Sequence, residues 1–219
     1  MLLDTDGDIE GIGIRSMGNS QAIDALCWQE ISKIATLKTL EIEDIEPTRP
    51  PVFPKYLTRL RLDSLRGDNS RDFVIRLLFG QRSLQFVDVR NVSGFTDEHL
   101  ELLAQNRHLG SLKLAQLQFS GIGFKAFNKH DNSFDVEISN CTLSKEGLQY
   151  LLECDKLESL LLSVSEEECA VLSALANSSS SASIFVEINV GPDSNSSCEA
   201  LIKKLQSRMP TNIKFAIIK

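Results

Sequence analysis

The stretch "LTRLRLDSL", residues 57–65, places leucine at positions 57, 60, 62 and 65 and fills the gaps with polar or charged residues. The same spacing occurs in "LKTLEIEDI" from Leu37, "LQFVDVRNV" from Leu84, "LGSLKLAQL" from Leu109 and "LESLLLSVS" from Leu157. Weaker copies are "IEGIGIRSM" from Ile9, "SFDVEISNC" from Ser133, "SIFVEINVG" from Ser183 and "NIKFAIIK" from Asn212. Apolar residues that alternate with polar ones are typical of a strand with one buried face, so each copy is predicted to contain a strand.

The copies recur at a nearly constant interval. Their sixth positions are apolar and lie 20 to 29 residues apart along the chain. A fixed period of this size indicates a repeat protein, in which each unit buries its apolar face against its neighbours. Helical spacing of apolar residues is found between the copies, in segments 20–35, 96–105, 144–153, 165–176 and 196–206. Segment 47–54 is rich in proline, which breaks helices, and is expected to be extended.

The pattern L-x-x-L-x-L-x-x-N/C resembles the signature of leucine-rich repeats, with Cys141 in the last position of its copy. In other copies Ile45, Leu65, Val92 and Leu117 replace the consensus residue. "FTDEHLELLAQNRHLGSLKL" and "LSKEGLQYLLECDKLESLLL" are similar to the cysteine-containing or ribonuclease-inhibitor-like branches, which include F-box substrate receptors and NLR-type sensors.

The resemblance implies one α/β domain over residues 1–219, a leucine-rich-repeat solenoid with about nine parallel strands on its concave face and mostly helices on its convex face. The strands are expected near residues 9–17, 37–45, 57–65, 84–92, 109–117, 133–141, 157–165, 183–191 and 212–219.

Composition narrows the class of partner. The chain has 219 residues, with 23 Lys and Arg against 30 Asp and Glu, giving a net charge of −7 that disfavours nucleic acid. It has no signal-peptide pattern and no apolar run of membrane-spanning length. The five cysteines are widely spaced and suit reduced thiols. We therefore expect an intracellular protein, cytoplasmic or nuclear, that binds neither nucleic acid nor membrane.

Motifs for catalysis, cofactors and metals are absent or incomplete. "DTDGDIE" imitates a calcium loop but lacks the glycine and glutamate of an EF-hand, and "GIGIRSMG" lacks the third glycine of a dinucleotide-binding loop. His99, His108 and His130 fall in different repeats and are predicted to lie on the surface. We therefore expect no cofactor, no metal and no enzymatic activity.

The polar positions of the copies form columns across the predicted sheet. The central column is predicted to run Gly13, Glu41, Arg61, Asp88, Lys113, Glu137, Leu161, Glu187 and Ala216. Its charges alternate in sign from Glu41 to Glu137, so the charges either pair with one another or form a docking strip. Large apolar residues exposed on such a face are better anchors for a partner. The predicted partner-binding residues are Arg59, Arg61, Phe86, Asp88, Arg90, Lys113, Glu137, Leu161 and Phe185.

These observations predict a non-catalytic protein-binding module that uses the concave face. Two alternatives come from the resemblance: the substrate-recognition part of an F-box ubiquitin ligase, and the ligand-sensing repeats of an NLR-type immune receptor. The last copy ends at the chain terminus with no helix after it. We expect either that the chain is one module of a larger protein, or that a neighbouring domain or subunit covers this edge strand.

Overall fold

The computed structural model describes residues 2–3, 9–16, 25–47, 53–54, 56–177, 180–189 and 211–218. The acidic "DTDGD" segment and the predicted helix at 196–206 lie outside these residues, as do positions 48–52 and 55 of the proline-rich connection.

In the part of the chain that the structure describes, nine parallel strands form a single open sheet in chain order, and a short antiparallel strand is added at its N-terminal edge. Each of the nine predicted copies contains one of the parallel strands. The strands are β1 (Leu2–Leu3), β2 (Ile9–Arg15), β3 (Thr39–Glu43), β4 (Arg59–Asp63), β5 (Phe86–Arg90), β6 (Ser111–Ala115), β7 (Phe134–Ser139), β8 (Leu157–Ser165), β9 (Ser183–Asn189) and β10 (Ile213–Ile218).

Helices lie between the strands and pack on one face of the sheet, giving an α/β architecture. The α-helices are α1 (Ala25–Ser32), α2 (Ser70–Leu78), α3 (Asp97–Leu103) and α4 (Lys145–Leu152). A first 3₁₀ helix spans Ile122–Lys129, and a second spans Glu166–Asn177. The first 3₁₀ helix and α2 were not predicted, although Phe73, Val74, Leu77 and Leu78 are buried at helical spacing on α2.

The core lies between the helices and the sheet. From β3 to β9, the inward residue pairs of the repeat, such as Leu60 and Leu62 or Leu112 and Leu114, are at most 2% exposed. They form one cluster with helical side chains such as Leu77, Leu103 and Leu151. The residues between them on each strand point to the other side. The repeat-building leucines are therefore fully occupied in the core, and one face of the sheet is left for other contacts.

A left-handed residue ends five successive strands. Asp44, Ser64, Asn91, Gln116 and Asn140 have φ between 47° and 55° and directly follow β3 to β7. Such a conformation is uncommon outside glycine, and Asn and Asp tolerate it best. The backbone N–H of each donates to a carbonyl of the next strand, as in Asn91 N to Ala115 O at 2.9 Å. The same turn thus extends the hydrogen-bond ladder beyond each strand.

Buried polar side chains bind the backbone where helices return to the sheet. Gln81 Nε2 donates to Pro54 O at 2.5 Å, and Asn106 Oδ1 accepts from Leu84 N at 3.2 Å. Cys154 Sγ donates to Tyr150 O at 3.3 Å. Each of these residues lies three positions before the start of a copy. They satisfy backbone groups that no strand or helix pairs.

The strand register differs from the predicted columns at one place. The prediction aligned Leu161 with Glu187, but Leu161 lies opposite Phe185, and Glu187 lies opposite Ser163. The prediction was wrong by two residues because Ile184, Val186 and Ile188 are all inward, and any adjacent two of them satisfy the repeat pattern. An even displacement keeps every side chain on its predicted face. The change nevertheless gives Leu161 a different neighbour.

Asp97 joins α3 to the following repeat. Its carboxylate accepts hydrogen bonds from Ser120 N at 3.1 Å, from Ser120 Oγ at 2.8 Å and from Gly123 N at 3.0 Å. A side chain added at Gly123 would lie 2.5 Å from Asp97 O, so the two segments are in close contact. The carboxylate therefore positions the start of the first 3₁₀ helix.

We expect Asp97→Ala to lower the free energy of unfolding by about 2–3 kcal/mol, because two backbone donors and a hydroxyl lose a charged acceptor. Glu98→Ala is the matched control. It removes the adjacent carboxylate, which forms only an exposed ion pair with Arg71 at 2.9 Å, and should cost less than about 1 kcal/mol. Urea denaturation followed by circular dichroism measures both. Equal losses would contradict the positioning role of Asp97.

Candidate functional site

The face of the sheet opposite the helices, called the open face below, has three side-chain columns in its central part. Each strand from β4 to β9 contributes three alternate residues. The three columns are Arg59, Phe86, Ser111, Asp135, Ser159 and Ser183; Arg61, Asp88, Lys113, Glu137, Leu161 and Phe185; and Asp63, Arg90, Ala115, Ser139, Ser163 and Glu187. All nine predicted partner-binding residues lie on this face.

Ion pairs connect several charges of the open face. Arg90 forms a two-point contact with Asp88, Nε to Oδ1 at 2.8 Å and Nη2 to Oδ2 at 3.0 Å. The Asp88 side chain is only 6% exposed, and its hydrogen bond raises the pKa of Arg90. Arg61 Nη2 lies 3.7 Å from Asp63, and Lys113 Nζ lies 2.6 Å from Glu137.

The prediction that charges of the central column pair with their cross-strand neighbours is therefore correct only in part. Lys113 and Glu137 pair across neighbouring strands, as the central column predicts. Arg61 and Arg90 instead pair with a carboxylate on their own strand, two residues away. Residues i and i+2 of a strand share a face, and a long arginine side chain reaches that far easily. Arg61 is thus partly neutralised within its own strand rather than between Glu41 and Asp88.

Arg59 and Phe86 form a cation–π contact. The guanidinium carbon of Arg59 lies 4.8 Å from the centroid of the Phe86 ring. Such contacts contribute about 0.5–1 kcal/mol at exposed sites. Phe86 is therefore a half-buried residue beneath an arginine, and the exposed group here is Arg59.

Leu161 and Phe185 form an apolar patch on the open face. They are direct cross-strand neighbours on β8 and β9, and Lys214 of β10 follows Phe185. Phe185 is 37% exposed, and Leu161 is half-buried. The small side chains of Ser159 and Ser183 flank the patch in the preceding column. Two adjacent apolar side chains in a largely polar face make the best candidate for an anchor.

Two more exposed aromatic residues lie outside the open face. Phe79 is 75% exposed and follows α2, and Tyr56 is 69% exposed and precedes β4. Sequence reasoning missed both because they belong to connecting segments, where the repeat pattern makes no prediction. Phe79 provides a useful control for the exposed aromatic on the sheet.

His99 and His130 are buried, which contradicts the predicted surface position, whereas His108 is exposed as predicted. His99 Nδ1 accepts from Thr96 N at 3.0 Å, and its ring stacks on Phe95. His130 stacks on Phe127 with 5.0 Å between centroids, and among the described residues neither ring nitrogen meets the geometry of a hydrogen bond, although the nearby Ala104 backbone opposes the fall in the ring's pKa. Burial lowers the pKa of both rings. The sequence misleads here because imidazole packs like an aromatic ring when its neighbours are phenylalanines.

The cysteines also have structural positions. Cys141 and Cys154 are buried, Cys27 is exposed, and none of these three forms a disulfide. The side chain of Cys169 and all of Cys198 lie outside the described residues. Burial raises the pKa of Cys154 to about 12, so its thiol is unreactive at neutral pH.

We expect Arg90→Gln to lower the free energy of unfolding by about 1–3 kcal/mol, because the buried Asp88 carboxylate loses both charged donors. Arg66→Gln is the control, since Arg66 pairs with Asp44 at 3.3 Å in an exposed position and should contribute less than about 1 kcal/mol. Denaturant titration distinguishes them. If Arg90→Gln lowers the free energy of unfolding no more than Arg66→Gln does, the ion pair with Arg90 does not stabilise the buried Asp88 carboxylate.

The buried imidazoles predict a pH dependence of stability. Below the ordinary histidine pKa of 6.5, the unfolded chain takes up protons that the folded chain resists. The buried neutral imidazoles therefore contribute their full share of the unfolding free energy above this pH, and that contribution falls as the pH is lowered. Burial lowers the His130 pKa most, Asp131 opposes this effect and Arg107 adds to it.

His130→Leu should keep the packing and reduce the fall in unfolding free energy between pH 7 and pH 5, by at most about 1.4 kcal/mol per pH unit. Denaturation midpoints across this pH range provide the measurement. A profile unaltered by His130→Leu would show that the ring is protonated in the folded state as readily as in the unfolded one.

No protein-family model matches the chain, and no curated protein matches it. Within the described residues, no group of three or more His, Cys, Asp or Glu side chains is arranged to hold a metal ion. No helix in that part of the chain is long and apolar enough to cross a membrane. Function must therefore be inferred from the open face and the chain's other surfaces.

Proposed function

We propose that this chain is a leucine-rich-repeat protein that binds a protein partner non-covalently through the open face of its sheet. The observation that carries the proposal is the adjacent apolar pair Leu161 and Phe185 on β8 and β9, which lie side by side on the open face. The intracellular, non-catalytic role predicted from composition fits the same proposal.

Repetition of the turn geometry supports the leucine-rich-repeat assignment. The eighth position of five copies is left-handed, and the ninth, at Ile45, Leu65, Val92, Leu117 and Cys141, is at most 5% exposed. Cys141 Sγ lies 3.5 Å from Leu114 O in the preceding repeat and 3.4 Å from Ser139 O. A donor in this position that satisfies neighbouring backbone is the physical reason for Asn or Cys in the L-x-x-L-x-L-x-x-N/C pattern.

The exposure of one sheet face supports the binding role. Parallel sheets usually have both faces covered, because their crossover connections place helices on each side. Here the helices cover one face, and the other carries charged groups and half-exposed apolar residues. An exposed apolar patch with a polar rim is typical of a protein-interaction surface.

Charge within the open face favours an anchoring role for Leu161 and Phe185. Arg61, Arg90 and Lys113 each have an intramolecular carboxylate partner, so a bound protein must compete with these pairs. Phe185 has no such competitor, and covering its ring removes apolar area from water at about 25 cal/mol per Å². We expect the apolar pair to supply affinity and the arginines to determine the orientation of the partner.

The test compares affinity capture with the intact chain and with the double variant Leu161→Ser, Phe185→Ser. Partners that use the open face should be lost or weakened at least about tenfold, as for loss of interface residues worth ~1.4 kcal/mol or more. Phe79→Ser removes a more exposed phenylalanine from outside the face and should retain every partner. Arg61→Glu should weaken binding less than the apolar double variant. Identical partner lists for all variants, or equal losses with Phe79→Ser, would contradict the proposal.

A further inference from the structure

A cavity lies between α3 and the first 3₁₀ helix, away from the open face. It has a volume of about 580 Å³ and is lined by Arg82, Arg107, His108, Lys129 and Glu101, among others. This volume is within the range of small-molecule sites, which is about 300–1,000 Å³. None of its lining residues belongs to the open face.

The cations of this cavity come from three successive connections. Arg82 precedes β5, Arg107 precedes β6, and Lys129 ends the first 3₁₀ helix. Among the described residues that line the cavity, Glu101 is the one carboxylate. A cluster of three cations stands out in a chain whose net charge is −7. A concave surface lined mainly by one sign of charge concentrates ions of the opposite sign.

Two of the cations have no carboxylate partner within 4 Å in the described structure. The Arg82 guanidinium donates to neutral oxygens, Gln105 Oε1 at 2.6 Å and Gln81 O at 3.2 Å. These contacts orient the guanidinium without cancelling its charge. Lys129 forms no ion pair there. Arg107 is 3.5 Å from Asp131, but both side chains are exposed, so this pair is weak and its partner is replaceable.

His108 adds an imidazole ring to the same cavity. Its Nδ1 lies 3.3 Å from Asn132 Nδ2, a contact that orients the ring. The lining therefore combines a fork of guanidinium donors, an ammonium group and an imidazole ring. This donor set suits a tetrahedral oxyanion with several acceptor oxygens.

The end of α3 does not explain this cluster. A helix C-terminus is favourable for one nearby cation, and the effect falls off within a turn. Helix ends account for Arg107, which follows α3, and for Lys129 in the last turn of the first 3₁₀ helix, but not for Arg82, which lies four residues beyond the end of α2. The convergence of all three cations on one concavity is the feature that suits an anionic ligand.

We propose that this cavity binds a phosphate ester, with Arg82, Arg107 and Lys129 holding the phosphate and His108 donating a hydrogen bond to it. The volume exceeds that of a phosphate group, so part of the molecule that bears the phosphate fits inside as well. The ester is carried either by a small metabolite or by a phosphorylated side chain of a protein segment, and both present the same group to the cavity.

The probes are inorganic phosphate, free O-phosphoserine, and a short peptide with and without phosphoserine, added to the intact chain at low ionic strength. Amide chemical shifts and calorimetry follow the titrations. We expect saturable binding of the phosphorylated probes, with shift changes at Arg82, Arg107 and Lys129. Added salt should weaken binding, because the interaction is ionic. Tighter binding of the phosphopeptide than of free phosphoserine assigns a protein source, and the reverse assigns a small molecule.

The double variant Arg82→Gln, Lys129→Gln should weaken binding at least about tenfold, since two charge-assisted contacts are lost. The double variant Arg76→Gln, Lys145→Gln removes the same charge from exposed helical positions outside the cavity and should leave binding unchanged within about twofold. Circular dichroism checks that both variants fold. Equal weakening in both variants, or no saturable binding of any probe, would overturn the proposal. The double variant Leu161→Ser, Phe185→Ser should leave phosphate binding unchanged. Failure of the phosphate-binding proposal is therefore distinguishable from failure of the proposed protein-binding role.

Discussion

Hydrogen bonding between neighbouring strands is the constraint on which the rest of the structure depends. Each parallel strand satisfies its backbone groups only through the strands on either side, so a single repeat cannot be stable by itself. The left-handed residues after β3 to β7 lengthen this ladder by one bond per repeat, as in Ser64 N to Arg90 O at 3.0 Å. Their conformation turns the chain away from the sheet, and it places the next residue, such as Leu65, into the core. A single left-handed residue thus ends each of these strands and begins the connection to the next one.

Buried polar groups stabilise the contacts between repeats. Gln81, Asn106 and Asp97 each bind backbone of an adjacent repeat, in places where an apolar side chain would leave a donor or an acceptor unsatisfied. The repeats are therefore joined by specific hydrogen bonds as well as by apolar packing. His130 occupies an equivalent position without a hydrogen-bond partner among the described residues and packs as an aromatic ring instead. The position three residues before a copy therefore requires a side chain of suitable size. A polar side chain is needed there only where a backbone group lies within hydrogen-bond distance.

Period and alternation predicted the strands well, because the inward leucines of "LTRLRLDSL" and its copies follow directly from burial on one side of a sheet. The register of β9 could not be predicted, since Ile184, Val186 and Ile188 offer two equivalent alignments. This matters for the candidate site, because only the observed register places Phe185 beside Leu161. The ion pairs could not be predicted from the sequence either. The repeat pattern does not decide whether the Arg61 side chain turns towards Glu41 or towards Asp63. Burial of His99 depended on Phe95 and on the backbone of Thr96, which are contacts that only the folded chain reveals.

The two surfaces proposed for binding follow from how the α/β fold uses its residues. On the open face, most charges are partly neutralised by one another, so the sheet tolerates them in a regular array and a partner gains little by contacting them. At the cavity beside α3, Arg82, Arg107 and Lys129 line one concavity together with a single carboxylate, that of Glu101, among its described lining residues. Arg82 donates to Gln105, a contact that orients its exposed guanidinium without neutralising the charge. A face with neutralised charge and an exposed phenylalanine suits an apolar contact, whereas an oriented cation cluster suits an anion. The same repeat scaffold therefore presents two chemically different sites, one built from strand residues and the other from the connections that precede the strands.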